Sequence, residues 1–345
     1  MLRRKLVRLG KSSLVISLPK DWLRDFNLRA GDEIAILIEK NGCLKVLPPK
    51  LISQTKTNPI VINVEKCNQE KLLERLLIAS YVVGRDPIII ENRLGLTEDQ
   101  LNETRNVINK IRGIEIVKES PTHIVLRTFL DPTKYPLTGL LRRLTNLIRT
   151  MLEYLITAIK EKSQSYLEEI IHIEEEIDRI YFSALRQIFL AHKDETIASS
   201  IGIRSPSELL SLRMAIKMFE LLADTLADLA EKGLKLQTSV FSQINEYSDL
   251  KSLLLDISTA MDTITKTLIY GNVALINELL NRIESIRFLS EKVDSFVVRK
   301  IRSMELACWV REVSWKLLSI LETIRVVAEI AINIVVDKAD RKFEC

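Results

Sequence analysis

The sequence predicts a mostly α-helical chain with a β N-terminus: a small β unit, a small α/β middle module and a six-helix bundle. Three observations predict it. Up to about residue 50 the apolar residues alternate like strands, from 60 to about 131 strand and helix patterns alternate, and from Pro136 onward apolar positions recur at period 3.6. With 345 residues the chain exceeds one typical core, so two or three domains are expected. Apolar residues make up 47% and aromatics only 6%, which calls for aliphatic cores and favours helices.

In the first segment, strands are expected at Lys5 to Leu9 and Ser13 to Leu18, then a short helix at Pro19 to Phe26 and a turn at Ala30-Gly31-Asp32. A hairpin follows, Glu33 to Glu39 with Cys43 to Leu47, around the favoured two-residue turn Asn41-Gly42. Four short strands bury little alone, so a homodimer is expected. Pro48, Pro49 and "SQTKTNP" read as a linker.

The second segment reads β-α-β-α-β-β. Its strands are "IVINV", "DPIIIEN", "IEIVKES" and "THIVLRTFL"; its helices are "NQEKLLERLLIASYVV", capped by Asn68, and "TEDQLNETRNVINKIR", capped by Thr97. It has no glycine-rich phosphate loop and no clustered acid/base set, which leaves a spacer or small-ligand module. The third segment predicts helices at 137–161, 164–193, 205–234, 243–270, 273–301 and 304–341. Helices of this length run ~40–50 Å, suit an elongated bundle and divide as three plus three. The expected domains are 1–50, 58–131 and 136–341, the last with repeats at about 137–234 and 243–341.

Composition narrows the function classes. A net charge of +4 makes no global demand for nucleic acid or membrane. Cys43, Cys67, Cys308 and Cys345 lie far apart, and His123, His172 and His192 are isolated. That argues against a His/Cys zinc site and for free thiols in a reducing compartment. The basic N-terminus lacks an apolar h-region, and no apolar run reaches the ~20 residues of a bilayer span. A cytoplasmic protein without a membrane span is expected.

The positive charge is concentrated at the start. Arg3, Arg4, Lys5, Arg8, Lys11 and Lys20 precede the first acidic residue, and residues 1 to 50 hold 11 Lys/Arg against 5 Asp/Glu, leaving the rest of the chain net acidic. Such density can neutralise phosphates, or it can protect a solvated edge strand. The stretch "KLVRLGKSSLVISLPKDWLRDFNLRAGDEIAILIE" resembles the SpoVT/AbrB domain through Gly10, Ser12, Ser17, Leu18, Pro19, Trp22, Leu28, Gly31 and Asp32. The resemblance implies a swapped-hairpin β dimer that binds DNA through basic residues, here Arg3, Arg4, Lys5, Arg8 and Lys11. Members of that family also serve as plain dimerisation modules.

Carboxylates mark the bundle. Residues four apart stack on one helix face, so in "EEEIDRIYF" Glu174 and Asp178 lie near the apolar stripe of Ile170, Tyr181 and Leu185, while Glu175 and Glu176 point away. "FELLADTLADLA" places Glu220, Asp224 and Asp228 in one row. Neighbouring carboxylates near apolar surface repel and resist desolvation, costs that a cation relieves. An all-oxygen donor set suits Mg²⁺, Mn²⁺, Ca²⁺ or iron. The competing reading is a solvated acidic face, or pairing with Arg213 and Lys217.

Residues 137 to 341 resemble the PhoU family, two tandem three-helix repeats marked by an E/D-x-x-x-D motif on the second and third helix of each. "EEEID" fits the first motif; "ELLAD" fits the second, with Leu221 and Ala223 where the family has Arg and Gly. The resemblance implies metal at Glu174, Asp178, Glu220 and Asp224. The second repeat departs, with Ser290 before Asp294 and, in the chosen register, Arg325, Glu329 and Asn333 opposite Glu220, Asp224 and Asp228; an alternative register puts Glu322 at the motif start. Arg325 is expected to pair with Asp294 or Glu329 in place of a metal, leaving metal, divalent or iron, at the first repeat only. The two resemblances imply a phosphate-responsive regulator, DNA-binding through its N-terminal domain. The alternative is a dimeric adaptor docked on a phosphate transporter ATPase or its signalling partner. No nucleophile/base set accompanies the carboxylates, so an enzyme is not expected.

Overall fold

A computed structural model describes residues 3–10, 13–38, 42–49, 58–65, 67, 69–243, 248–284 and 301–339. The chain divides into two compact units, Met1–Pro59 and Ile60–Cys345.

The first unit is two short hairpins around one helix. Strands β1 (Val7–Leu9) and β2 (Ser13–Val15) pair antiparallel, as do β3 (Ala35–Ile38) and β4 (Leu44–Leu47), with helix α1 (Lys20–Asp25) between them. The strands are shorter than the alternation suggested. Gly42 has φ +81°, as the hairpin turn requires; Asn41 lies outside the described residues, and so does Lys11. Leu6, Val7, Leu9, Leu14, Val15, Ile16, Ile36, Ile38 and Leu44 are all exposed. Two-stranded hairpins are marginal by themselves, and within the chain these strands bury almost none of the apolar surface they carry.

The second unit begins with the α/β module. Its sheet runs in the order β5 (Ile60–Asn63), β6 (Ile88–Glu91), β8 (His123–Thr128), β7 (Ile114–Ser120). The β5–β6 pair is parallel and the others antiparallel. Helices α2 (Leu72–Val82) and α3 (Glu98–Lys110) complete the predicted β-α-β-α-β-β order. Thr97 caps α3 as expected: its Oγ1 accepts from the Gln100 N–H (3.3 Å) and the Gln100 side chain accepts from the Thr97 N–H (3.1 Å). Helix α2 starts later than the sequence suggested. Asn68 lies outside the described residues, and the cap position is Lys71, in the left-handed region with φ 60°.

The bundle comprises α4 (Leu137–Glu161), α5 (Ser165–Lys193), the short α6 (Glu195–Ser200), α7 (Pro206–Leu234), the short α8 (Thr238–Phe241), α9 (Ser248–Tyr270), a helix α10 over 273–284 and α11 (Met304–Lys338). The predicted 273–301 helix lies outside the described residues beyond 284. Leu137, Leu141, Leu144, Ile148, Met151, Leu155 and Ala158 of α4 are buried at alternating three- and four-residue steps. Leu209, Leu212, Ile216, Phe219, Ala223, Leu226 and Ala230 of α7 repeat the pattern. That spacing gives each helix one continuous buried seam, the packing of elongated bundles. Helix α5 packs on α4 and α7, and α11 packs on α7 and α9. Gly233 of α7 is closely packed: a Cβ there would lie 2.6 Å from Leu167 Cδ1 and 3.1 Å from the Trp309 ring, so a larger residue would have to displace them. No described helix is long and apolar enough to cross a membrane.

The module sits on α5. Three cations seven residues apart on that helix reach backbone carbonyls at the ends of the module's helices. Arg179 donates to Asn109 O (3.3 Å), Arg186 to Tyr81 O and Arg85 O, and Lys193 to Val83 O (2.6 Å). Carbonyls in the last turn of a helix have no intrahelical partner, and cations complement the helix dipole there. Arg186 is 7% exposed and stacks over the Tyr81 ring. Gly84 (φ +83°) lies so close to Leu190 that a Cβ would come within 2.6 Å.

Candidate metal centre

Helices α5 and α7 bring the predicted carboxylates to one place. Oxygens of Glu174, Asp178 and Asp224 all lie within 4.8 Å of one another. Spacing explains this: Glu174 and Asp178 are one turn apart beside the buried Ile170, Ile177 and Tyr181, and Asp224 follows the buried Ala223 on the facing helix. Burial, then the charges of Asp178 and Asp224, pushes the Glu174 carboxyl up to about 7. Burial, then Asp224 and Glu220, pushes Asp178 up to about 6, against the pull of Lys110 and Lys217. Burial also raises Asp224, with Lys217 opposing. Among the described residues no ion pair reaches Glu174, Asp178 or Asp224. Three mutually repelling carboxylates with only oxygen donors fit a hard divalent cation or iron.

Glu220 stands next to this group but is engaged differently. Lys217, three residues earlier on α7, bonds directly to it and lies 5.4 Å from the centre of the Tyr181 ring. The i, i+3 spacing made that pair visible in the sequence as the competing reading, and at Glu220 it is the one found. Asp228 leaves the row altogether. It pairs with Lys232 (3.1 Å) and with Lys316 of α11, and the Lys316 hydrogen bond holds its carboxyl below the usual range. Glu176, expected to be merely solvated, is 30% exposed and bridges Arg143 of α4 and Arg112 of the module (3.5 Å). Glu175 meets Arg179 (3.7 Å). Glu175–Arg179 and Asp228–Lys232 are i, i+4 pairs on one helix, whereas both partners of Glu176, and Lys316 on Asp228, come from other elements, of which helix spacing carries no signal.

In the second repeat, Arg325 pairs with Glu322 (2.9 Å) and Glu329 (2.7 Å), and Asn333 is exposed. Ser290 and Asp294 lie outside the described residues. At the N-terminus, Arg3, Arg4, Lys5 and Arg8 are exposed, Arg8 within β1. Cys43, Cys67 and Cys308 are not in disulfides.

Together these features define a two-unit protein: a basic β unit whose strands lack a core, and a helical unit with a carboxylate cluster at a helix–helix seam. Comparison with known proteins makes the class specific. Residues 141–233 match the family model of the PhoU domain, and residues 7–53 match that of MazE, a bacterial antitoxin described by antidote-toxin recognition. The chain thus carries a PhoU domain, which spans the four predicted ligands, and a MazE/AbrB-like N-terminal domain. No curated protein matches the chain in sequence. A crystal structure of the phosphate transport system regulatory protein PhoU from Streptococcus pneumoniae is similar over 59% of this chain and 94% of that one, at 14% identity and a TM-score of 0.49.

Proposed function

We propose that the chain is a phosphate-responsive regulator of phosphate uptake that acts on DNA as a homodimer and holds a metal ion in its PhoU domain. The observation that carries this reading is the pairing, in one chain, of a PhoU domain with a MazE/AbrB-like unit led by an exposed basic arm. The exposed apolar strands of that unit support the dimer, because a second copy interleaving its hairpins would bury them. Arg3, Arg4, Lys5, Arg8 and Lys11 neutralise DNA phosphates. Glu174, Asp178 and Asp224 hold a divalent cation or iron, with Glu220 as the fourth ligand once Lys217 lets go. A bound cation supplies fixed positive charge between α5 and α7, and Glu174 and Asp178 must give up their protons to receive it. The proposal keeps three domains, 1–50, 58–131 and 136–341, the last two lying in one compact unit.

The test of the DNA arm is a gel shift with promoter fragments of phosphate-uptake genes at rising salt. Binding should weaken steeply with salt, and Arg3→Ala with Arg4→Ala should weaken it at least about tenfold at low salt. Absence of any binding at low salt removes the DNA role. The same exposed apolar strands also favour a second reading. There the unit only dimerises, and the helical unit docks on a phosphate transporter ATPase or its signalling partner. Under that reading the protein is still a dimer by analytical ultracentrifugation and retains the ATPase in a pull-down, but binds no DNA.

A further inference from the structure

A cavity of about 360 Å³ lies where α9 and α11 end, beside the start of α7, and serves neither the metal nor the DNA role. That volume is within the range of small-molecule sites. Leu268 and Ile334, both buried, and the half-buried Ile269 and Val335 give it apolar walls. Gly271 keeps the end of α9 tight on α11: its φ is +71°, and a Cβ there would lie 3.2 Å from Val335 Cγ2. The polar lining is Arg204, Tyr270 and Lys338. Lys338 is committed to the buried Glu208 (2.6 Å). Asp337, next to it in the chain, accepts from the Ser205 and Ser207 hydroxyls (2.6 and 2.8 Å). The Tyr270 hydroxyl accepts from Arg142 (2.9 Å), which leaves its own proton to give. Arg204, in the loop before α7, is exposed and makes no ion pair among the described residues.

We propose that this cavity binds a small amphipathic anion: a carboxylate or phosphate head on Arg204 and the Tyr270 hydroxyl, with an apolar body against Leu268 and Ile334. A guanidinium forks onto either kind of oxyanion through paired N–H donors, and hydrogen bonds to ionised groups are about twice as strong as neutral ones. The carbonyl ends of α9 and α11 by themselves disfavour an anion. Lys338 answers Glu208 and the end of its own helix, and Arg142 is held over the Tyr270 ring (5.7 Å), so among the lining residues Arg204 is the cation left over. A bare inorganic anion has nothing to set against four aliphatic side chains, whereas an apolar body gains by covering them. The site needs neither metal in the carboxylate cluster nor DNA.

Calorimetry on the full-length chain with phenyl phosphate, benzoate, inorganic phosphate and phenol tests this. Phenyl phosphate, benzoate or both should bind once per chain with a Kd of about 1 mM or below, and inorganic phosphate and phenol about tenfold more weakly or not at all. A preference between the two aromatic anions identifies the head group. Arg204→Gln should weaken the aromatic anion about tenfold, because a charge-assisted contact is lost from an exposed position that the fold does not need. Lys251→Gln removes the same charge at the opposite end of α9 and should leave binding unchanged. An equal loss from the two variants would mean unspecific charge attraction and overturns the site. Inorganic phosphate binding as tightly as phenyl phosphate overturns it too, as does no binding of either aromatic anion at about 10 mM.

Discussion

Helices α7 and α11 present comparable rows of polar side chains, both largely paired with cations of their own helix, and differ at Asp224. On α11 a guanidinium is built in: Arg325 lies between Glu322 and Glu329, and all three are partly exposed. On α7 Asp224, itself exposed, has no ion pair among the described residues and meets the half-buried Glu174 and Asp178 from α5. One repeat supplies its own counter-charge and the other leaves an acidic group uncompensated. The difference teaches where an external cation gains most, since it is attracted by charge that the fold has desolvated and not already neutralised.

Substitutions break this comparison most sharply at α5. Glu174→Gln with Asp178→Asn should lower divalent-cation affinity roughly 100-fold or more, because two of three charged ligands are lost. Glu329→Gln should change it less than about twofold. Calorimetric titration with Mn²⁺ checks both, and an equal loss from the two variants would erase the distinction between the repeats.

Next in size is a pH effect. Glu174 at about 7 and Asp178 at about 6 both lie above ordinary carboxyl values. The folded, metal-free chain therefore holds these protons more tightly than the unfolded chain. Their contribution to stability is complete below about pH 4 and is lost as pH rises through about 6 to 7. Metal-free Tm should fall by several degrees more between pH 4.5 and 8 in the natural chain than in the double variant. Saturating Mn²⁺ should reverse the loss, by about 2.7 kcal/mol at 100 times Kd. Identical pH profiles for the two proteins would show that the cluster carries no such strain.

The smallest effect is expected at Arg325. Its ion pairs are exposed, so Arg325→Gln should cost no more than about 1 kcal/mol in chemical denaturation. A loss of several kcal/mol would mean that α11 depends on its built-in cation far more than an exposed pair allows.

Much of this was legible in the sequence, for a physical reason. The 3.6 period fixed α4 at 137–161, α5 within one residue of 164–193 and α7 within one residue of 205–234, because one face of each helix is a buried seam. Thr97 was readable as a cap because capping chemistry is local. Helix spacing likewise put Glu174 and Asp178 on one face of α5 and Glu220 and Asp224 on one face of α7; the packing of the two helices brings Asp224 to the first pair. Spacing could not foresee Lys316 taking Asp228, or Arg143 and Arg112 taking Glu176, because those partners come from other elements. The late start of α2 was missed for a related reason: Lys71 adopts a left-handed conformation that nothing in its residue type announces.

The central claim is that one repeat takes metal and the other does not. Anomalous diffraction from crystals of the full chain grown with Mn²⁺ tests it most directly. The account predicts a manganese peak among Glu174, Asp178 and Asp224 and none beside Arg325 and Glu329. Equal peaks in both repeats, or density only beside Arg325, would contradict it.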